Sequence, residues 1–156
     1  MPLTRRALVL WAMACAVACE PPAAAVGPVA RAELGVFFGG QVQERAEIPF
    51  TLDRNRQVQG FRLTFHRALS RPVEIRWEVD RPGPRGRGRA VELGDSQARP
   101  GMTVFDQEIA FKPGDPLGSW KIRVFVDGEV ALDRSLVIYD PDARKREPVL
   151  GKRSGK

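Results

Sequence analysis

The feature that most constrains the fold is an alternation of apolar and polar residues near the C-terminus. Its first arm places apolar side chains at Trp120, Ile122, Val124 and Val126. After a turn at Asp127 and Gly128, its second arm places them at Val130, Leu132, Leu136 and Ile138. A period of two is typical of strands with one buried face, so we expect an antiparallel hairpin. The register of a hairpin is the one that keeps apolar residues together on the buried face, and here it favours a three-residue loop, Asp127 to Glu129, with a bulge. The expected pairs are Val126 with Val130, Val124 with Leu132 and Trp120 with Leu136.

Shorter runs with the same period occur along the rest of the chain. The two clearest have apolar positions at Phe61, Leu63 and Phe65, and at Val73, Ile75, Trp77 and Val79. Because a connection of hairpin length separates these two runs, we expect them to pair antiparallel. Further short strands are predicted near residues 34–40, 47–52, 90–93 and 104–111, and Pro113-Gly-Asp-Pro predicts a turn. The pattern indicates about seven strands and no helix.

The domain organisation follows from these strands. We expect a signal peptide at residues 1–18, a lipidated N-terminus and linker at 19–33, one all-β domain at 34–141, and a basic disordered tail at 142–156. The 15 glycines and 13 prolines suit a chain with many short strands and frequent turns.

One run carries a resemblance to a known fold. Phe111-Lys-Pro-Gly-Asp-Pro-Leu-Gly-Ser-Trp-Lys-Ile-Arg-Val-Phe-Val-Asp-Gly-Glu-Val resembles the closing hairpin of bacterial immunoglobulin-like and macroglobulin-type domains. The resemblance implies a single immunoglobulin-like antiparallel β-sandwich. The Cys–Trp–Cys core of antibody domains is absent, so Trp77 or Trp120 has to pack without a disulfide.

The N-terminus has the layout of a secretory signal. Arg5 and Arg6 form a short basic segment, and an apolar segment of 12 residues, 7–18, follows. Such a segment is too short to span a bilayer, which takes about 20 residues. Small residues at its end are typical of a signal-peptide cleavage site. The sequence therefore predicts export.

The end of this leader resembles the lipobox of bacterial lipoproteins. The motif is Ala16-Val17-Ala18-Cys19, and Ala16 departs from it because the family usually has leucine there. The resemblance implies a diacylglycerol on the Cys19 thiol and attachment to the cell envelope, with Glu20 favouring the outer membrane facing the periplasm. Cys15 is a poorer match, and no cysteine follows Cys19. Cleavage by the ordinary signal peptidase after Ala18 stays an alternative.

The charge distribution argues against nucleic acid as a partner. The net charge is +6, but the excess lies in the leader and in the tail after Pro141, and residues 20–141 carry equal numbers of basic and acidic side chains. One basic segment has no interleaved aromatic residues, so we expect a flexible hairpin tip that can contact anionic polymers or lipid headgroups. Its arginines are Arg81, Arg85, Arg87 and Arg89.

Candidate chemistry elsewhere is sparse. His66 is the one histidine, so no metal site is predicted, and we expect no cofactor. Glu74, Glu78 and Asp80 share one strand face; a glycosidase-like pair is geometrically allowed, but a solvated face with cross-strand ion pairs is favoured. No catalytic residue is assigned. The leading hypothesis is a non-enzymatic, membrane-anchored binding or scaffold module. The alternatives are an accessory subunit of a larger envelope complex and a carbohydrate-active enzyme.

Overall fold

The computed structural model describes residues 27–83 and 87–146, which form two β-sheets and one short helix. The nine strands are β1 (Val29–Phe38), β2 (Gln41–Glu44), β3 (Glu47–Pro49), β4 (Val58–Phe65), β5 (Val73–Pro82), β6 (Arg89–Ala98), β7 (Val104–Glu108), β8 (Gly118–Val126) and β9 (Glu129–Tyr139). The helix, α1, is Pro141–Arg146. The all-β prediction is confirmed, with nine strands instead of about seven.

The strands form a four-stranded sheet in the order β2-β1-β4-β7 and a five-stranded sheet in the order β3-β9-β8-β5-β6. All neighbours are antiparallel except β3 and β9. The expected pairing of β4 with β5 is wrong. The connection at residues 66–72 carries the chain from one sheet to the other, so the apolar faces of β4 and β5 meet across the core instead of side by side.

The β8–β9 hairpin confirms two of its three predicted pairs, Val124 with Leu132 and Trp120 with Leu136. The three-residue loop is wrong, because Val126 pairs with Glu129 across a two-residue turn. Asp127 and Gly128 take φ angles of 49° and 86°, and positive φ at both central residues fits the twist of a tight hairpin. A bulge beside Val124 then restores the apolar register.

Three boundaries differ from the sequence expectation. β1 begins at Val29, so residues 29–33 belong to the strand and not to the linker. β2 follows Gly39 and Gly40, where the sequence predicted the end of a strand; its residues are mostly polar and exposed, so they give no alternating signal. The helix α1 occupies the start of the expected disordered tail. The rest of the linker, the signal peptide and the remaining tail lie outside the described residues.

The core lies between the sheets and is built from the predicted alternating positions. Phe61 and Leu63 of β4 face Ile75 of β5 and Ile122 of β8, all almost fully buried. Trp77 packs edge-on against Phe61, with ring centroids 5.8 Å apart, so this tryptophan packs through aromatic contact and without a disulfide. The indole N–H of Trp120 donates to the Pro116 carbonyl oxygen at 2.9 Å, which satisfies its one polar group inside the core.

The strand directions give the sandwich two distinct ends. At the entry end the chain arrives at Gly27, which lies beside Glu129 and close to the β4–β5 connection. At the far end lie the end of β5, the start of β6 and the start of β8, where Gly118 lies beside Pro82. Since β9 ends opposite Gly118, the helix α1 also starts at the far end.

Candidate functional site

The outer face of the five-stranded sheet carries the side chains that could meet a ligand or a partner. On β5 the apolar residues point into the core, and Glu74, Arg76, Glu78 and Asp80 point outward, as the alternation predicts. The neighbouring strands β6 and β8 add side chains to the same face through direct pairing with β5. This surface is called the outer face below.

Each of the three β5 carboxylates has an arginine partner. Glu78 Oε2 lies 2.5 Å from Arg123 Nη2, directly across the strand pair. Glu74 pairs with Arg76 at 2.6 Å, and Asp80 pairs with Arg89 at 2.8 Å. The prediction of a solvated face with cross-strand ion pairs is therefore confirmed for Glu78 and Asp80, whereas Glu74 pairs with an arginine of its own strand.

An open groove of about 600 Å³ runs along the outer face between β6 and the β8–β9 turn. Leu93, Phe125 and the edge of Trp77 line it with apolar surface, and Arg76 and Asp95 add charge. Beside it, Leu93 is 73% exposed and Val91 57% exposed, two large apolar side chains on one strand. Such a surface suits contact with another polypeptide better than the enclosure of a small substrate.

The first of the predicted arginines points inward, unlike a loop residue. Arg81 donates to Asp115 Oδ1 and to Glu92 Oε2, both at 2.8 Å, and its guanidinium lies 5.4 Å from the centroid of the Trp120 ring. Only 17% of its side chain is exposed. The guanidinium is thus neutralised by two carboxylates and stacked on the core, which makes Arg81 a structural residue.

The acidic partner of Arg81 is positioned by the predicted turn. Gly114 has φ of 85°, and the Asp115 N–H donates to the Lys112 carbonyl oxygen at 3.0 Å, as in a type II turn. The Lys112 ammonium donates to Glu92 Oε1 at 2.8 Å. This hydrogen bond, helped by the nearby Arg81 charge, lowers the pKa of Glu92 below its ordinary value.

Sequence reasoning missed this group, called the Arg81 cluster: Arg81, Glu92, Lys112, Asp115 and Trp120. The sequence does contain a signal for Arg81. Side chains along a strand alternate between its two faces, so Arg81, two residues after Val79 and four after Trp77, belongs to the inward side of β5.

The other predicted arginines lie in different surroundings. Arg89 is the first residue of β6, half exposed, and donates to both Asp80 Oδ1 and the Asp80 carbonyl oxygen. Arg87 is exposed, in a connection closed by the Gly83 N–H donating to the Gly88 carbonyl oxygen. Arg85 and the predicted lipidation residue Cys19 lie outside the described residues. The structure therefore does not bring the four arginines together into one site.

A second groove, of about 460 Å³, lies at the entry end beside the β4–β5 connection. His66, Arg67 and Arg71 line it; His66 is exposed, as predicted, and Arg71 pairs with Asp127 at 2.6 Å. Within residues 27–83 and 87–146, no three His, Cys, Asp or Glu side chains are grouped to hold a metal ion. No helix in the same ranges has the length and hydropathy to cross a membrane.

Comparison with solved structures identifies the fold. An immunoglobulin-like protein from Pseudomonas aeruginosa superposes with a TM-score of 0.51 at 19% identity, over 74% of this chain and 99% of that one. The alkylpurine DNA glycosylase AlkC of Pseudomonas fluorescens, bound to DNA containing an abasic site analog, gives a TM-score of only 0.39 at 16% identity, over 69% of this chain and 30% of that one. No family model and no curated protein matches the chain. The described part of the chain therefore has an immunoglobulin-like β-sandwich fold.

Proposed function

We propose that this chain is a non-enzymatic binding or scaffold module of the bacterial cell envelope, held to a membrane by a lipid on Cys19. The anchor is supported by the basic and apolar leader and by the placement of Cys19 directly after Ala16-Val17-Ala18. Acyl chains contribute about 0.8 kcal/mol for each buried methylene, so a diacylated N-terminus would hold the domain firmly.

The observation that carries the binding role is the contrast on the outer face. Its β5 carboxylates are held by arginines, whereas Val91 and Leu93 are left exposed beside an open groove. Acid–base chemistry uses a carboxyl group that can give or take a proton within reach of a substrate. Ion-paired carboxylates and exposed apolar side chains instead favour recognition of another macromolecule.

With a lipid on Cys19, the proposal also implies an orientation of the module on its membrane. Because β1 begins at Val29 and the chain enters at Gly27, the tether between lipid and domain is short. Its eight residues, 19–26, reach roughly 28 Å when extended. The entry end then faces the membrane, and the far end, with Arg87 and α1, faces away from it. This favours an anionic envelope partner over lipid headgroups as the contact of Arg87.

The anchor is tested by the intact mass of the full-length gene product extracted from membranes with detergent. We expect a polypeptide that begins at Cys19 and carries the added mass of a diacylglyceryl group. Cys19→Ser should move the protein out of the membrane fraction, and the matched Cys15→Ser variant should leave it there. An unmodified chain in the soluble fraction of wild-type cells would remove the anchor from the proposal.

The binding role is tested by cross-linking in intact cells followed by purification. We expect an envelope protein or an acidic polymer to be retained by the wild type and lost with Arg87→Glu. Arg67→Glu makes the same charge change at an exposed arginine of the entry end, and we expect it to retain the partner. Equal retention by both variants would contradict a partner at the far end.

A further inference from the structure

The strand β6 is a long sheet edge that no other strand of the described chain covers. It has 10 residues and pairs only with β5, whereas the other edge strands, β2, β3 and β7, have 4, 3 and 5 residues. Natural proteins usually keep exposed edges short or cover them, because unpaired N–H and C=O groups attract another strand. The length of β6 therefore favours pairing of this edge with a strand from another chain.

The hydrogen-bond pattern shows which residues face the open edge. Gly83 N–H donates to Gly88 O, and the same register continues through the whole β5–β6 pair. In an antiparallel pair, residues alternate between bonding to the neighbour and pointing away from it. The even-numbered residues of β6 therefore bond to β5. The odd-numbered ones direct their N–H and C=O groups to the open edge, and their side chains are on the outer face.

We propose that two copies of this chain pair through β6, antiparallel about a twofold axis at Glu92. In that register Arg89 of each copy lies opposite Asp95 of the other, and Val91 lies opposite Leu93, each contact occurring twice. Moving the register by two residues in one direction places Val91 opposite Asp95. Moving it in the other direction places Arg89 opposite Leu93. Among these three registers, only this one pairs charged residues with opposite charges and apolar residues with apolar ones. We therefore infer that the partner of β6 is a second copy of the chain.

The side chains in this register are available for the contact. Val91 and Leu93 are exposed, and Asp95 is exposed with no ion pair among the residues that the structure describes. Arg89 already donates to the Asp80 carboxylate, to the Asp80 carbonyl oxygen and to the Ser119 carbonyl oxygen, which leaves two of its five N–H donors, and 45% of the side chain is exposed. Its two remaining N–H groups can therefore donate to the Asp95 carboxylate of the other copy.

One contact in the register is unfavourable. Glu92 lies opposite its own copy at the axis, on the inner side of the sheet, and like charges directly opposite destabilise a strand pair. Each Glu92 is already held by Arg81 and Lys112 in its own chain. These two cations offset the repulsion, and the joined edges make one continuous sheet across both copies.

The experiment uses the full chain, extracted in mild detergent and carrying either of two affinity tags. We expect the wild type to co-purify with its differently tagged copy and to show a concentration-dependent dimer mass in light scattering. Asp95→Arg should weaken the dimer at least about tenfold, because two attractive pairs become repulsive. Asp133→Arg, the same change on the distant strand β9, should not weaken it. Circular dichroism verifies that each variant is folded.

A mixed sample tests the register itself. Asp95→Arg chains and Arg89→Asp chains should each dimerise poorly alone, and their mixture should recover the tagged heterodimer, since every Arg then meets an Asp. If Arg89→Asp does not fold, Leu93→Lys replaces it as a second disrupting variant, because this side chain is 73% exposed and outside the core. A monomeric wild type, equal weakening by Asp133→Arg, or capture of only a different protein overturns the proposal.

Cysteine pairing gives an independent measure of the same register. A Val91→Cys chain mixed with a Leu93→Cys chain should form a disulfide under mild oxidation, because opposed residues at this edge have Cα atoms about 5.5 Å apart. Each chain alone should cross-link much less. The dimer does not depend on the anchor. A lipidated monomer contradicts only the dimer, and an unlipidated dimer contradicts only the anchor.

Discussion

The two faces of the five-stranded sheet hold the same kinds of side chains in different surroundings. On the inner face Arg81 is 17% exposed, stacked on Trp120 and held by Asp115 and Glu92. On the outer face Arg89 is 45% exposed and held by Asp80. Buried charges cost several kcal/mol when a partner is removed, and exposed ion pairs contribute about 1 kcal/mol or less. The inner arginine therefore contributes mainly to the stability of the fold, whereas the outer arginine is exposed enough to contact a partner.

The largest expected effect comes from removing the inner cation. Arg81→Met should lower the free energy of unfolding by about 3 kcal/mol, because Asp115, with 8% of its side chain exposed, loses its guanidinium partner. Arg89→Met should lower it by less than about 1 kcal/mol. Urea unfolding of the two variants under identical conditions measures the difference. Similar losses for both would show that the inner and outer arginines do not differ as proposed.

The structure corrects the expectation that all four arginines belong to a flexible hairpin tip, because Arg81 lies in β5 and Arg89 in β6. The alternation along β5 already places Arg81 on the core side, so its inward direction was predictable. Its partners were not, because Asp115 is 34 positions away in sequence and belongs to another connection. An alternation with a period of two predicts on which face of the strand a side chain lies. It does not predict which residues of other elements contact that side chain.

The same limit explains the misplaced strand pair. The alternation predicts strands at 61–65 and 73–79, and their apolar positions are buried as expected except for Trp77, which is partly buried. Their pairing was wrong because two apolar faces can meet either within a sheet or across the core. For the β8–β9 hairpin, the buried face gave the register beyond the bulge, and the turn residues Asp127 and Gly128 decided the loop length.

A second prediction concerns packing at the β6 edge. A Cβ added at Gly94 would lie 2.2 Å from Cε2 of Trp77, so Gly94→Ala has to displace the indole from its contact with Phe61. We expect a loss of about 2 kcal/mol, as for other overpacked cores. Ser96→Ala, on the same side of β6, is the matched control and should change stability by less than about 0.5 kcal/mol. Urea unfolding measures both. A neutral Gly94→Ala would mean that Trp77 can move without cost.

The smallest expected effect is a pH dependence of stability that comes from Glu92. The Lys112 hydrogen bond lowers the pKa of Glu92 in the folded protein, so the folded form binds its proton less readily than the unfolded chain. The resulting stabilisation is full above about pH 4.3, the ordinary value for glutamate, and is lost as the pH falls through the lower folded pKa. Glu92 is partly exposed, so we expect a contribution of only about a few tenths of a kcal/mol.

The measurement compares urea unfolding of the wild type and Glu92→Gln from neutral pH to about pH 3, at concentrations too low for self-association. The variant should lose less stability over the acidic part of this range, because its amide has no proton to bind. Glu129→Gln removes one negative charge at the exposed β8–β9 turn and serves as the control. A wild-type profile that coincides with Glu92→Gln below about pH 4.3 would mean that Lys112 and Arg81 act on Glu92 as weakly as surface charges do.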